Sequence, residues 1–193
     1  MNCFGRMQTA CGLMALEVHP LHKKQGAALE MIRYFEDYAR RHGALLTLLL
    51  PFQISFYRRM GYGFAGKLYE YHLPTAVLPK PDGEARRHLR LLQPEDFDRV
   101  LACHSRFAAQ NHGMVEKFEE EVRAARTDVQ VRRIGYCADD GTLRGYVAYR
   151  FESASDTNYA RNRLSVEELV YDDGVVLRAL LGALKLQEDL AQT

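Results

Sequence analysis

Short apolar runs and amphipathic stretches alternate along this chain, and the pattern changes near its middle. Residues 9 to 18, TACGLMALEV, form an apolar run that predicts a buried strand. The turn HPLHKKQG follows, and then a stretch of helical spacing from about Ala27 to His42. Ala28, Ile32, Phe35 and Ala39 mark one face of it, while Glu30, Arg33, Glu36, Asp37 and Arg40 fill the other. Gly43 stands where a left-handed C-terminal cap belongs. LLTLLL, bounded by Gly43 and Pro51, predicts a strand covered on both faces of a sheet. Strand, helix and strand then make a β-α-β unit with parallel strands and a right-handed crossover. QISFYRRM predicts a short helix closed by Gly61, and FAGKLYEYHL alternates as a further strand up to Pro74.

Residues 74 to 87, PTAVLPKPDGEARR, hold three of the six prolines and a PDG turn signal, and predict a linker. From residue 88 the pattern restarts. HLRLL reads as a strand, PEDFDRVLACHSRFAAQ and VEKFEEEVRAAR as helices, and VQVRRIGYC and LRGYVAYRFE as a hairpin across ADDGT. LSVEELVY adds a strand and VVLRALLGALKLQEDLA a helix, so residues 88 to 193 have the order β-α-α-β-β-β-α. Residues 1 to 73 supply only β-α-β-α-β and start in a strand. They are expected to be the C-terminal half of a folding unit, small for an independent core.

Composition narrows the function classes. In 193 residues, 26 Lys and Arg face 25 Asp and Glu, so no overall field favours nucleic acid or an anionic membrane surface. No apolar run approaches the ~20 residues that span a bilayer, and MNCFGRMQTACG lacks the pattern of a secretory leader. A cytoplasmic protein is expected. Cys3, Cys11, Cys103 and Cys137 form no CxxC pair, which favours reduced, mostly buried thiols over zinc or redox chemistry. His19 and His22 have no carboxylate or thiol at ligand spacing, so no metal is expected.

Candidate chemistry concentrates in HPLHKKQGAA. A strand that delivers a basic, glycine-containing turn onto a helix start can hold a phosphate group, because free backbone N–H groups and the helix dipole point at one spot. A solvated basic turn is the other reading of the same residues.

VHPLHKKQGAA with its helix, the apolar strand after it, and SFYRRMGYGFAG together resemble the GNAT N-acetyltransferases, specifically the Eis-like branch of tandem-GNAT proteins. The family's cofactor loop reads Gln/Arg-x-x-Gly-x-Gly/Ala. Here Lys23, Lys24, Gln25, Gly26, Ala27 and Ala28 fill it, with lysine in the first place. The resemblance implies an α/β chain of the GNAT (acyl-CoA N-acyltransferase) fold: a partial first unit at residues 1 to 73, a linker at 74 to 87, and a second GNAT-like unit at 88 to 193. The chain would be a fragment, lacking the N-terminal part of the first unit and a C-terminal sterol-carrier-like domain.

The implied activity is N-acetyl transfer from acetyl-CoA to a primary amine. Backbone N–H groups from Lys24 to Ala28 would take the pyrophosphate, with Gly26 removing a Cβ from its path. The edge of Leu16, Glu17 and Val18 would pair with pantetheine, and Leu29, Phe52 and Gln53 complete the implied cofactor contacts. Tyr57 would protonate the departing thiolate, since a phenol keeps its proton at neutral pH; packing with Phe56 and Met60 is its alternative role. In the second unit, Asp172 and Asp173 stand where a phosphate loop would fall, and carboxylates there repel pyrophosphate. The competing function is a catalytically silent module that binds CoA or a protein. Partners are thus acetyl-CoA, an amine acceptor and further copies of the chain, with neither nucleic acid nor membrane.

Overall fold

The computed structural model describes residues 1–80, 83–153 and 162–191. The chain divides into two compact units, Met1–Tyr69 and Glu70–Thr193.

In the first unit, β1 (Asn2–Cys3) and β2 (Arg6–Met7) form a small antiparallel hairpin that the hydrophobic pattern does not announce. β3 (Ala10–Leu13) pairs in parallel with β4 (Leu46–Leu49), Ala10 opposite Leu46 and Leu13 opposite Leu49. Between them runs α1 (Ala27–Arg41), which buries Ile32, Phe35 and Ala39, the face that its spacing predicts. Parallel pairing sets the C-terminal ends of β3 and β4 at one edge of the sheet, where α1 also begins. α2 (Ile54–Arg58) follows β4 at that edge and buries Tyr57. Gly61, at φ 94°, closes it.

Three predicted elements of this unit come out differently. The run at residues 9 to 18 is a strand only as far as Leu13: Ala15 sits at φ 55°, in the left-handed region, and turns the chain out of the sheet. LLTLLL pairs over Leu46–Leu49, but Leu45 and Leu50 are 61% and 86% exposed, so the strand is not covered on both faces. FAGKLYEYHL is no strand. It has no pairing partner among the described residues, and Leu68 and Tyr71 stand exposed.

The second unit is an antiparallel sheet of order β5-β6-β7-β8, made of β5 (Leu89–Leu91), β6 (Arg132–Cys137), β7 (Leu143–Ser153) and β8 (Asn162–Tyr171). α3 (Gly83–His88) precedes it, α4 (Phe97–Gln110) and α5 (Glu119–Thr127) lie between β5 and β6, and α6 (Gly174–Lys185) ends it. The predicted order therefore holds from residue 88 onward. One core cluster gathers Val100 and Cys103 of α4 with Tyr146 and Val170. A second gathers Val176, Ala179 and Leu180 of α6 with Val147 and Tyr149. Gly145 lets α6 seat on β7, since a Cβ there would lie 2.5 Å from a Val176 methyl.

Residues 74 to 87, read as a linker from their prolines, are part of this second unit. Thr75 is buried and its hydroxyl donates to the Ala191 carbonyl at 3.3 Å, while Lys185 Nζ donates to the Ala76 carbonyl at 3.0 Å. Gly83 to His88 is helical. Pro81 and Asp82 of the predicted PDG turn lie outside the described residues.

Candidate functional site

The basic turn sits at the C-terminal edge of the parallel pair. Pro20–His22 make a 3₁₀ turn, in which His19 Nδ1 accepts from the Leu21 N–H at 3.3 Å and Gln25 Nε2 donates to the Leu21 carbonyl at 3.2 Å. Lys24 and Gly26 then adopt φ values of 62° and 88° and feed the chain into α1. Gly26 is the helix N-cap and offers no side-chain hydrogen bond. The first hydrogen bond of the helix is Glu30 N–H to the Gly26 carbonyl, at 3.1 Å. Ahead of it, the backbone N–H groups from Lys24 to Leu29 have no hydrogen-bond acceptor among the described residues. Lys23, Lys24, Gln25, Gly26 and Ala27 are exposed; Ala28 and Leu29 are half-buried.

Such consecutive free N–H groups, curled by two positive φ angles at the start of a fifteen-residue helix, form an anion nest backed by the helix dipole. Around Gly26 a Cβ would meet nothing within 4 Å. Its glycine is required by φ, and the space in front of it is open.

Leu16, Glu17 and Val18 are not on a strand edge, as the predicted strand would have had them. Ala15 has already turned the chain, and residues 14 to 18 make no backbone hydrogen bond among the described residues. Leu16 and Val18 are half-buried and Glu17 is exposed. Their free amides remain suited to an extended ligand. Phe52 is 72% exposed, and Gln53 is the N-cap of α2.

Tyr57 is only 5% exposed. The rings of Phe52, Phe56 and Tyr62 surround it, with centroids at 5.7, 5.1 and 6.2 Å and edge-on tilts of 73°, 89° and 73°. It lines a cleft of about 170 Å³ at the end of β4, together with Thr47, Arg58 and Tyr62. The Tyr62 hydroxyl is fully buried and meets no partner at hydrogen-bond geometry among the described residues. Burial pushes its pKa up, with the neighbouring Thr47 side chain pulling the other way. Tyr62 was not foreseen as a site residue, although it lies inside the motif that singled out Tyr57.

Two GNAT acetyltransferase domain models match the chain, one over residues 1–65 and the other over residues 111–193. Both stretches match GNAT acetyltransferase domains. Solved structures share the GNAT fold. A GCN5-related N-acetyltransferase from Anabaena variabilis matches at TM-score 0.81 and 14% identity, over 97% of this chain and 47% of its own. Another from Kribbella flavida matches at 0.72 and 22%, over 97% and 45%. Eis1 from Mycobacterium abscessus matches at 0.73 and 22%, over 98% and 49%. The chain spans about half the length of these structures. No curated protein matches it in sequence.

The second unit differs at the start of its last helix. Asp173 caps α6, its carboxylate accepting from the Val175 and Val176 N–H groups at 2.9 and 3.0 Å. Arg144 donates to the same carboxylate at 2.7 Å. The hydrogen bond from Val176 leads in holding the Asp173 pKa below its usual value. An anion finds this helix start already filled by a resident one.

This unit also carries a polar network that sequence reading missed. The Lys117 side chain, 5% exposed, donates to Glu121 at 3.0 Å and to Glu168, and the Tyr146 hydroxyl donates to Glu168 at 2.6 Å. Burial works to raise the Glu168 pKa, but the hydrogen bonds from Lys117 and Tyr146 outweigh it and hold it low. His104, 7% exposed, is held below its ordinary pKa by burial first and by the Lys117 charge second.

Proposed function

We propose that this chain binds acyl-CoA at the Lys24–Leu29 helix start and serves an N-acetyltransferase of the Eis-like branch, which moves an acetyl group directly onto a primary amine. The observation that carries the reading is the row of acceptor-free N–H groups between two lysines and a helix. Those N–H groups and the lysines would hold the pyrophosphate of acetyl-CoA, which supplies the activated acyl group as a thioester. The free amides of residues 14 to 18 would take pantetheine and aim the sulfur toward the end of β4. There the neutral amine attacks the thioester carbonyl, a C–N bond forms and the C–S bond breaks. Tyr57 gives its proton to the departing sulfur and regains one from the proton that the amine releases.

Calorimetry with acetyl-CoA tests the binding half. Gly26→Glu brings a like charge against the pyrophosphate and should weaken affinity by ~100-fold or more; an unchanged titration overturns the cradle. Turnover tests the chemical half. Tyr57→Phe keeps the ring and removes the proton, so turnover should fall ~10²- to 10⁴-fold while acetyl-CoA affinity stays within a few-fold. Unchanged turnover per folded molecule assigns Tyr57 to packing.

The near-complete burial of Tyr57 among three rings favours a second reading, a CoA-binding module without catalysis. Thiol release from acetyl-CoA with polyamines and aminoglycosides as acceptors separates the two. The proposal extends to a cytoplasmic homo-oligomer, supported by exposed apolar side chains such as Leu68 and Tyr71. A monodisperse monomer in light scattering at tens of micromolar removes self-association.

A further inference from the structure

The cleft at the end of β4 has no part in holding phosphate, and its walls say what it suits. Leu48, Leu49, Leu50, Ile54, Phe64 and Ala65 line it with apolar side chains, and Tyr57 stands in it. Its volume is about 170 Å³. An apolar cavity of ~150 Å³ is large enough to hold benzene, a molecule of six carbons. An acetyl group, with two carbons, would leave most of such a space unfilled, and unfilled apolar space forfeits contact energy.

The cleft runs along β4 from Thr47 and past its end to Pro51, and in a parallel β-α-β unit the helix that follows the first strand starts toward that end of the strands. A thioester anchored by phosphate at α1 and extended along residues 14 to 18 would therefore deliver its acyl group to this end of the strands. Two glycines, Gly63 and Gly66, flank the wall formed by Phe64 and Ala65, and a Cβ on either would meet no atom within 4 Å. Among the described residues, the two glycines leave that wall open to a short chain.

We infer that the cleft is an acyl-chain pocket and that, besides acetyl-CoA, the chain takes CoA thioesters of four- to six-carbon acids and binds them more tightly. The inference rests on the acyl-CoA reading above and deepens it. Each methylene buried contributes about 0.8 kcal/mol, so the two that distinguish butyryl from acetyl correspond to ~10-fold in affinity.

The test is calorimetry of the full chain with free CoA and with acetyl-, butyryl-, hexanoyl- and dodecanoyl-CoA. Butyryl-CoA should bind ~10-fold tighter than acetyl-CoA, hexanoyl-CoA tighter again, and dodecanoyl-CoA no better than hexanoyl-CoA. Ile54→Trp, which fills the cleft from the exposed first turn of α2, should erase that gain and leave free CoA unchanged. Ile54→Ala, which enlarges the cleft without risk of clash, should move the optimum to a longer chain. Equal affinity for every thioester, with free CoA still bound, overturns the acyl pocket and spares the cofactor reading. A gain that keeps rising through dodecanoyl-CoA, or survives in Ile54→Trp, also overturns it. Failure of free CoA and of every thioester to bind overturns both.

Discussion

The two GNAT units treat their polar groups in opposite ways. The second closes them on itself: Asp173 occupies the start of α6, Arg144 occupies Asp173, and Lys117, Glu168 and Tyr146 satisfy one another inside the unit. The first leaves them open. Among the described residues, Lys24 to Leu29 keep free N–H groups at the start of α1, and the Tyr62 hydroxyl is buried without a partner. A helix start is an anion site only while nothing in the chain fills it. The same fold thus yields a stable scaffold where its valences are met internally and a receptive surface where they are not.

The sharpest way to break this contrast is to open the second unit. Lys117→Met strands Glu168 without its cation and should cost about 3–5 kcal/mol of unfolding free energy in denaturant titration. The double variant Lys117→Met/Glu168→Gln keeps an acceptor for Tyr146 without the charge and should recover at least half. If the single variant costs under 1 kcal/mol, the network is solvated and the contrast fails.

Acid should open the same region more gradually. His104 has a folded pKa below its unfolded value near 6.5, so its contribution is complete above that value and lost as pH falls from ~6.5. Glu168, also depressed, loses its contribution as pH falls from ~4.5 through its folded value. Melting temperature should therefore decline in two stages on acidification, each limited to one proton or about 1.4 kcal/mol per pH unit. His104→Gln should remove the stage nearer neutrality.

A smaller effect belongs to the cap. Asp173→Ala should cost about 1 kcal/mol, the usual worth of an N-cap carboxylate, and an unchanged melting temperature would mean that the α6 start is no better satisfied than that of α1. The smallest change has the opposite sign. Tyr62→Phe deletes a buried, unpartnered hydroxyl and should stabilise the protein by up to ~1 kcal/mol; destabilisation would show that the hydroxyl has a partner after all.

Much of the architecture is written in local periodicity. α1 is found within one residue of its predicted end, and the β6–β7 hairpin forms across ADDGT. What escaped depends on partners distant in sequence. The alternation of FAGKLYEYHL is a strand signal, yet a strand exists only if another edge pairs with it. Three prolines suggested a linker, but Thr75 and Ala76 are tied to residues more than a hundred positions away. The Lys117–Glu168 pair, 51 residues apart, leaves no local trace. The open helix start was legible because its features are wholly local: two lysines, a glycine and a helix start.

Cys103 gives the second unit a clock. Its side chain is 0% exposed, and burial pushes its pKa up to about 11, so at pH 8 only about one molecule in a thousand would carry the thiolate even if a reagent reached it. Cys3 and Cys11, half-buried in the first unit, have no such shelter. Alkylation of Cys103 must wait for the sheet and α4 to part, whereas Cys3, Cys11 and the half-buried Cys137 of the second unit report on the native surface. Pulse labelling with a maleimide, read by mass, would time the opening of the second unit against the native surface in one sample and without any engineered probe.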